Sequence, residues 1–287
     1  TGVITWGKNP SSCFKTIRYA CARARSGDQI MCAPGVHKEH LPITIPAGVS
    51  IQGKEMRTTF VEPNMEDDGG NGVGISTLGG GKPNNEVAMF YCNDATTVRG
   101  FTFRGLTGTV LGVGNPHQEP TVKGVCFQLD PNGAINLKSP FIQNCCAIND
   151  GGGGIYCDGS DAPNGNYQSF TTNDFTQINS NGFGLFATNK GRIEAVSVFT
   201  YYCRVGYTTT LGSIIRSANG NNSYGDYGSV SEGHYANELN LTQKTGQIDN
   251  RTGEAVPYRV VVNESTGQVQ RIEWSYAGES YTSATVS

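Results

Sequence analysis

Apolar and polar positions between residues 182 and 233 repeat in the same order. Gly184 is followed by Gly206 after 22 residues (206 minus 184), and Gly206 by Gly228 after the same interval. Within each copy, runs such as 192–199 are short, rich in β-branched residues and bounded by Gly and Asn, which is typical of strands. A repeat of this length indicates a solenoid, in which a coil buries its apolar face only against neighbouring coils. The pattern therefore predicts an all-β chain forming a parallel β-helix, with strands about 4.8 Å apart along the axis.

The same unit continues upstream with a longer spacing. Asn149 aligns with Asn179, and Gly154 with Gly184, at an offset of 30 residues (179 minus 149), which is one 22-residue coil plus eight more. The surplus falls in 158–166, where Gly, Asp, Pro and Asn predict a loop that leaves one corner of the coil. Loops on a repeat scaffold often gather on its binding face.

The N-terminal segment, residues 1–28, contains the only pattern typical of a helix. Ser11 or Ser12 is the expected N-cap and Gly27 the expected end. The predicted apolar face comprises Cys13, Phe14, Ile17, Ala20, Cys21 and Ala24. A helix directly before the first coil is expected to cap its apolar end.

The predicted β-helix covers residues 29–235, with further loop excursions at 65–85 and 112–120, where Gly and Pro are frequent. Residues 236–287 have a different pattern, in which polar turns containing Thr-Gly separate runs of alternating apolar and polar residues. This pattern predicts a small antiparallel β-hairpin extension. The last residues carry no stop signal, so we expect that the native chain continues beyond them or was cut there.

Net charge and cysteine usage limit the possible partners. A net charge of −3 and a pI near 5.8 predict neither a nucleic-acid partner nor an anionic membrane surface. Nine cysteines lie mostly in apolar runs without a Cys-x-x-Cys pair, and the four histidines are scattered. We therefore predict buried free thiols, no metal site and no cofactor. Reduced cysteines indicate assembly in a cytosol.

Acidic residues and tyrosines crowd the 158–166 corner. Asp150, Asp158 and Asp161 are candidate catalytic carboxylates, since paired carboxylates cleave glycosidic bonds. Tyr156 and Tyr167 are candidate aromatic platforms for a glycan. The alternative is that these aspartates only form turns in a Gly- and Asn-rich loop.

Two other polar groups have competing interpretations. Asp226, Glu232 and Arg216 would suit a lyase site if adjacent coils aligned them, and are equally explained as solvated outward positions. The asparagines Asn179 and 219–222 are expected to form an internal hydrogen-bonded ladder along the axis.

Residues 11–63 resemble the N-terminal part of pectate-lyase-like right-handed β-helices, through a helix followed by Gly27-Asp-Gln-Ile and Pro34-Gly35. This resemblance implies a right-handed coil. It carries no activity, because fold and function separate readily.

Residues 170–235, including Gly182-Phe-Gly-Leu-Phe and Ile214-Ile-Arg-Ser-Ala-Asn-Gly-Asn-Asn, resemble virion structural proteins of tailed marine bacteriophages, especially cyanophages. The resemblance implies a tail-fibre-like or tailspike-like component for particle architecture or host adsorption, located in the virion and assembled in the host cytoplasm. Expected partners are other virion subunits, further copies of the chain in an oligomer for which a trimer is plausible, and a host surface glycan. The alternatives are a polysaccharide-cleaving lyase or hydrolase, and a non-catalytic glycan-binding module.

Overall fold

The computed structural model describes residues 13–64, 88–107, 124–160, 168–231, 258–262 and 269–274. Within these ranges the chain is all-β apart from one short helix. The elements are α1 (Ile17–Cys21), β1 (Gln29–Cys32), β2 (Gly35–Glu39), β3 (Ile43–Ile45), β4 (Ser50–Gly53), β5 (Thr59–Pro63), β6 (Ala88–Cys92), β7 (Thr97–Arg99), β8 (Thr102–Thr107), β9 (Val125–Leu129), β10 (Phe141–Asp150), β11 (Gly153–Asp158), β12 (Ser169–Ser180), β13 (Phe183–Thr188), β14 (Arg192–Tyr201), β15 (Val205–Thr209), β16 (Ile214–Ala218), β17 (Asn221–Ser223), β18 (Tyr227–Ser231), β19 (Tyr258–Val262) and β20 (Val269–Trp274).

Strands β1 to β18 form two sheets to which the chain returns in turn. The 7-stranded sheet follows the order β18-β15-β13-β11-β9-β6-β3. The 11-stranded sheet has the path β1-β4-β7-β10-β12-β14-β16, with β2, β5 and β8 leading to β10 and with β17 beside β14. Neighbouring strands pair in parallel, for example β10 with β12 and β11 with β13. This arrangement is consistent with a parallel β-helix.

The strand register confirms the spacing predicted from the sequence. Ile193 pairs with Ile215, which is the 22-residue period (215 minus 193). Asn149 pairs with Asn179 at the longer offset of 30 (179 minus 149). The longer offset leaves the strands paired, so the additional residues lie in the connection between them.

The main core consists of inward side chains from successive coils. Along β10 and β12, buried positions alternate with more exposed ones, as expected when only one face of a strand points to the core. The rings of Phe103 and Phe127 meet edge to face with centroids 4.8 Å apart, and Phe127 similarly contacts Phe175. Each fully buried phenylalanine contributes roughly 1.5–3 kcal/mol of apolar burial.

Both faces of the 7-stranded sheet are buried in its middle strands. Every residue of β13 is buried. Leu185 and Ala187 belong to the main core, whereas Phe183 and Phe186 belong to a second buried cluster with Tyr156. A parallel strand that is covered on both faces lacks a clean alternation of apolar and polar residues, and β13 fits this rule.

A column of glycines in the 7-stranded sheet faces an inner column of polar side chains. A Cβ at Gly184 would lie 2.4 Å from Cγ2 of Thr200, which is closer than atoms can approach. Similar clashes would occur one coil before and one coil after. The facing pairs are Gly154 with Gln177, Gly184 with Thr200, and Gly206 with Asn222. Glycine recurs here because the two walls of the coil come too close for a side chain on both.

The helix differs from the prediction at both ends, since it ends at Cys21 and not at Gly27. It begins at Ile17, and Thr16 is the N-cap, whose Oγ1 accepts a hydrogen bond from the Tyr19 N–H at 3.1 Å. Ser11 and Ser12, the predicted caps, lie outside the described residues. The reason is a contact from a distant strand: the buried Glu39 carboxylate accepts hydrogen bonds from the N–H groups of Ile17 and Arg18 at 2.5 and 3.2 Å.

This contact satisfies two of the N–H groups that every helix leaves free at its start. Ile17, Ala20 and Cys21 are buried as predicted, and Ala24 packs against the core. Cys13 is exposed, so the predicted apolar face is too long at its N-terminal end. Burial raises the pKa of the Glu39 carboxyl, while the two N–H groups act in the opposite direction.

The internal asparagine ladder forms at a single step among the asparagines considered. Asn149 Nδ2 donates to Asn179 Oδ1 at 3.2 Å, and Asn179 Nδ2 donates to the Phe183 carbonyl at 3.0 Å. The asparagines at 219–222 have other partners: Asn219 Nδ2 donates to Ser197 Oγ, and Thr200 Oγ1 donates to Asn222 Oδ1. The ladder prediction is thus confirmed for Asn179. In the later segment Asn219 and Asn222 also bond one coil back, but to Ser197 and Thr200 and not to asparagines.

The chain divides into two units, one of residues 1–209 and 213–230, the other of residues 210–212 and 231–287. In the second unit β19 and β20 pair antiparallel, with Tyr258 opposite Trp274, which confirms the predicted hairpin. The predicted excursions 65–85 and 112–120, and residues 161–166 of the third, lie outside the described residues.

The glycine column makes a prediction about stability. We expect Gly184→Ala to lower the thermal unfolding midpoint, because overpacking of this kind costs about 1–3 kcal/mol. Gly228→Ala is the matched control on the same column: its nearest neighbour would be Asn222 Cβ at 3.8 Å, so a change within about 0.5 kcal/mol is expected. Circular dichroism melts of the two variants test this, and equal midpoints would contradict the close approach of the walls.

Candidate functional site

Asp158, a predicted catalytic carboxylate, lies at the end of β11 and holds the following turn together. Its Oδ1 accepts hydrogen bonds from the Ser160 N–H at 2.8 Å and from Asn189 Nδ2 at 2.9 Å. Its Oδ2 accepts a hydrogen bond from the Tyr156 hydroxyl at 3.2 Å. Asn189 follows β13, so the carboxylate also connects two successive coils. This is the turn-forming role that competed with catalysis.

The other residues predicted near this corner are dispersed or outside the described ranges. The Tyr156 ring is buried and stacks on Phe186, with centroids 5.4 Å apart and planes 13° from parallel. One face of the ring is thus covered by Phe186 within the second cluster. Asp150 is exposed at the end of β10. Asp161 and Tyr167 lie outside the described residues, and the catalytic and glycan-binding roles of this group stay predictions.

Asp226 and Arg216 each contact a different partner. Arg216 Nη1 lies 3.1 Å from Glu194 Oε1, one coil back, and Asp226 Oδ2 lies 3.7 Å from Arg204 Nε. Glu232 lies outside the described residues. Surface ion pairs of this kind contribute between about 0 and 1 kcal/mol. Across the ranges that the structure describes, no three His, Cys, Asp or Glu side chains are grouped closely enough to hold a metal ion.

The cysteines behave as small apolar side chains. All nine are free thiols, and seven of them are buried, namely Cys21, Cys32, Cys92, Cys126, Cys145, Cys157 and Cys203. Burial raises the pKa of the Cys145 and Cys157 thiols to about 12. The prediction of buried free thiols is confirmed for these seven, and a protonated thiol is neither a nucleophile nor a metal ligand.

The inner column that faces the glycines becomes polar in the later coils. In register, Ala147 is followed by Gln177, Thr200 and Asn222. Asn222 Nδ2 donates to the Gly228 carbonyl at 2.7 Å. Both amide atoms of Gln177 are buried, and within the described part of the chain neither has a hydrogen-bond partner. The narrow interior opposite the glycines therefore contains polar groups that stabilise it less than apolar packing would.

A partly exposed apolar strip lies on the outside of the 11-stranded sheet. Ile148, Ile178 and Tyr201 occupy one outward column of β10, β12 and β14, in register. Ile148 is 48% exposed, and Phe199 points outward beside this column. We name these four residues the outer apolar strip. Sequence reasoning missed this strip, because only the strand register places these side chains on the outside.

The strip ends in charged residues towards the N-terminal coils. The column of Ile148 continues through Arg104, which forms an ion pair with Glu62. The Arg104 guanidinium also lies over the Phe60 ring, 4.1 Å from its centroid. The same outward column is therefore charged in β5 and β8 and apolar in β10, β12 and β14.

Residues 1–254 match the family described as "Protein of unknown function (DUF1565)". The chain belongs to the DUF1565 family. The match includes every coil from β1 to β18 and stops before the β19–β20 hairpin. Neither the comparison with curated proteins nor the comparison with solved structures found a match. The DUF1565 description assigns no residue a role, so functional proposals depend on the chain's own residues.

Among the described residues, no helix is long and apolar enough to cross a membrane.

The thiols of this DUF1565 chain make a prediction about reactivity. At pH 8, a thiol reagent such as DTNB should modify Cys13 quickly, Cys146 slowly and the seven buried cysteines only after unfolding. In the unfolded chain a thiol has a pKa of about 8.5, which is well below the pKa of the buried thiols. Deprotonation therefore favours the unfolded chain, and the free energy of unfolding should fall as the pH rises above about 9. The counts of reactive thiols with and without denaturant are the measurement. Fast modification of Cys145 or Cys157 in the native chain would contradict their burial.

Proposed function

We propose that this DUF1565 chain is a virion structural protein of a tailed phage, a tail-fibre-like or tailspike-like component built on a right-handed parallel β-helix. It contributes to particle architecture or host adsorption, and it assembles in the host cytoplasm with other virion subunits. The observation that carries the proposal is the outer apolar strip on the continuous 11-stranded sheet. The resemblance of residues 170–235 to virion proteins of marine phages supports it independently.

The hydrogen-bond pattern suits a structural scaffold. Backbone bonds join each coil to the next, as in Thr171 N to the Pro140 carbonyl at 2.9 Å and Ile214 N to the Gly191 carbonyl at 3.0 Å. Within the described coils both sheets are continuous, so the strands there offer little unpaired backbone to proteases. Such a scaffold holds its connecting loops at fixed positions for contact with other molecules.

The outer apolar strip suits lateral packing against further copies of the chain. Contiguous apolar surface with a polar rim marks protein-protein contacts, in which aromatic side chains are enriched. Tyr201 and Phe199 supply the aromatic part, and the Glu62–Arg104 pair supplies a charged edge. Side-by-side association through this strip yields a homo-oligomer, and a trimer fits the proposed role.

Two measurements test this proposal. Mass spectrometry of purified particles of the phage that encodes the chain should detect it, and its absence from particles would refute the virion role. Light scattering of the purified chain should give an oligomer whose association weakens at least tenfold in Ile148→Lys, because a charge would be buried in the contact. Met31→Lys is the matched control: Met31 is 57% exposed, but its neighbour one coil on is the polar Gln52.

A wild-type chain that stays monomeric would contradict lateral packing. Equal association of the Ile148→Lys and Met31→Lys variants would contradict packing through the outer apolar strip.

A separate assay tests the polysaccharide-cleaving alternative, which we expect to fail. Incubation with alginate, polygalacturonate and neutral polysaccharides, with and without Ca²⁺, should release no oligosaccharide and no unsaturated product, because the Asp158 carboxylate is occupied by the turn. Release by the wild-type chain that disappears in Asp150→Asn or Asp158→Asn would overturn this expectation and support an enzyme. Reducing-end assays and absorbance of unsaturated products are the readouts.

A further inference from the structure

Two tyrosines lie stacked and exposed at one corner of consecutive coils. Tyr202 follows β14 and Tyr224 follows β17, one 22-residue period apart (224 minus 202). Their ring centroids are 5.3 Å apart and their planes lie 19° from parallel. Tyr202 is 54% exposed and Tyr224 is 76% exposed. Aromatic rings are normally buried, so a pair held in register in solvent requires an explanation.

The backbone at both positions is in the left-handed region. Tyr202 has φ 58° and Tyr224 has φ 60°, values that a bulky side chain seldom adopts. Such conformations cost of order 1 kcal/mol or more, and glycine would avoid that cost at a corner. The Tyr202 N–H is held by the Ser223 carbonyl at 3.0 Å, which fixes the first corner against the second. Both corners therefore have a strained backbone at a position that is nevertheless tyrosine.

One face of the Tyr224 ring is available to a ligand. Tyr202 covers the other face, and the large exposed fraction of Tyr224 leaves its free face in solvent. Beside it lies a shallow cleft whose lining includes Asn222, Ser223, Tyr227 and Gly228. Tyr227 is itself 43% exposed, which adds a second aromatic side chain with a hydroxyl at the rim. The surface thus combines a flat aromatic face with polar edges.

Charge near the platform limits the ligand class. Asp226 is the exposed charged group between Tyr224 and Tyr227, and 68% of its side chain is exposed. Its partner Arg204 is only 14% exposed, so the carboxylate dominates the potential that a ligand meets. An acidic ligand would be repelled there, whereas a neutral one would gain a hydrogen-bond acceptor.

We propose that Tyr202, Tyr224 and Tyr227 form a binding subsite for a neutral glycan. A sugar ring places its C–H face against the free face of Tyr224, and its hydroxyls bond to the tyrosine hydroxyls and the Asp226 carboxylate. A purely apolar partner would leave the polar lining of the cleft unsatisfied. This inference deepens the proposed adsorption role and rests on it, but the subsite lies on different residues from the outer apolar strip.

Binding of defined oligosaccharides to the purified full chain tests the subsite. The probes are neutral hexaoses of glucose, mannose and xylose, with polygalacturonate fragments as the acidic comparison, and isothermal calorimetry is the readout. We expect at least one neutral probe to bind, with affinity at least tenfold weaker in Tyr224→Ala and retained in Tyr224→Trp. The matched control is Tyr19→Ala, since Tyr19 is 47% exposed on α1 and packs beneath Arg23.

Several outcomes would overturn the subsite. They are no binding of any neutral probe, unchanged binding in Tyr224→Ala, or a preference for the acidic fragments. A change in oligomeric mass in Tyr224→Ala, without a change in binding, would make the pair a contact between copies of the chain. Circular dichroism melts confirm that the variants fold. The chain's presence in particles is measured separately. A chain that is found in particles but binds no neutral glycan would contradict the glycan subsite and leave the virion role intact.

Discussion

Every side chain in the coils is constrained by its equivalent one coil away. Parallel pairing holds neighbouring strands about 4.8 Å apart, so like positions stack directly on one another. This single spacing accounts for the in-register pair Phe90 and Phe127, for the Asn149–Asn179 bond and for the stacked pair Tyr202 and Tyr224. It also explains why glycine recurs at Gly184 and Gly206: a residue there must be small in every coil in which the opposite wall carries a larger side chain. The fold is thus a set of columns, and each column has its own chemistry.

The columns explain how much of the fold was readable from the sequence. The 22-residue period was visible because glycine is required at the same point of each coil, and the paired register follows it residue by residue. The start of the helix was not visible, because Glu39 determines it from 22 residues beyond Ile17. Thr16 is a local capping signal at this start, but the Glu39 carboxylate arrives through tertiary structure. A capping contact from another strand leaves no periodic trace in the chain.

The candidate site was less predictable, for a related reason. Asp158 and Tyr156 have the composition of a sugar-cleaving corner, and the structure engages both in packing and hydrogen bonds of the coil. Composition cannot distinguish a carboxylate that three donors surround from one that faces a substrate. The outer apolar strip and the tyrosine pair were equally hard to see, since isoleucine and tyrosine in strands usually indicate core. Only the register assigns Ile148 to the outside, and only the corner geometry leaves Tyr224 exposed.

The connections between strands vary in length while the coils do not. The chain takes residues 159–168 to pass from β11 to β12, but only residues 189–191 to make the equivalent passage from β13 to β14. Strand pairing is parallel and continuous across both steps, since Ile142 of β10 pairs with Thr172 of β12, and Thr172 in turn pairs with Ala195 of β14. Length added at this corner therefore leaves the lattice of columns unchanged. The same corner offers a place where a foreign peptide could be displayed, or where relatives could diversify their surface, without a change in core packing.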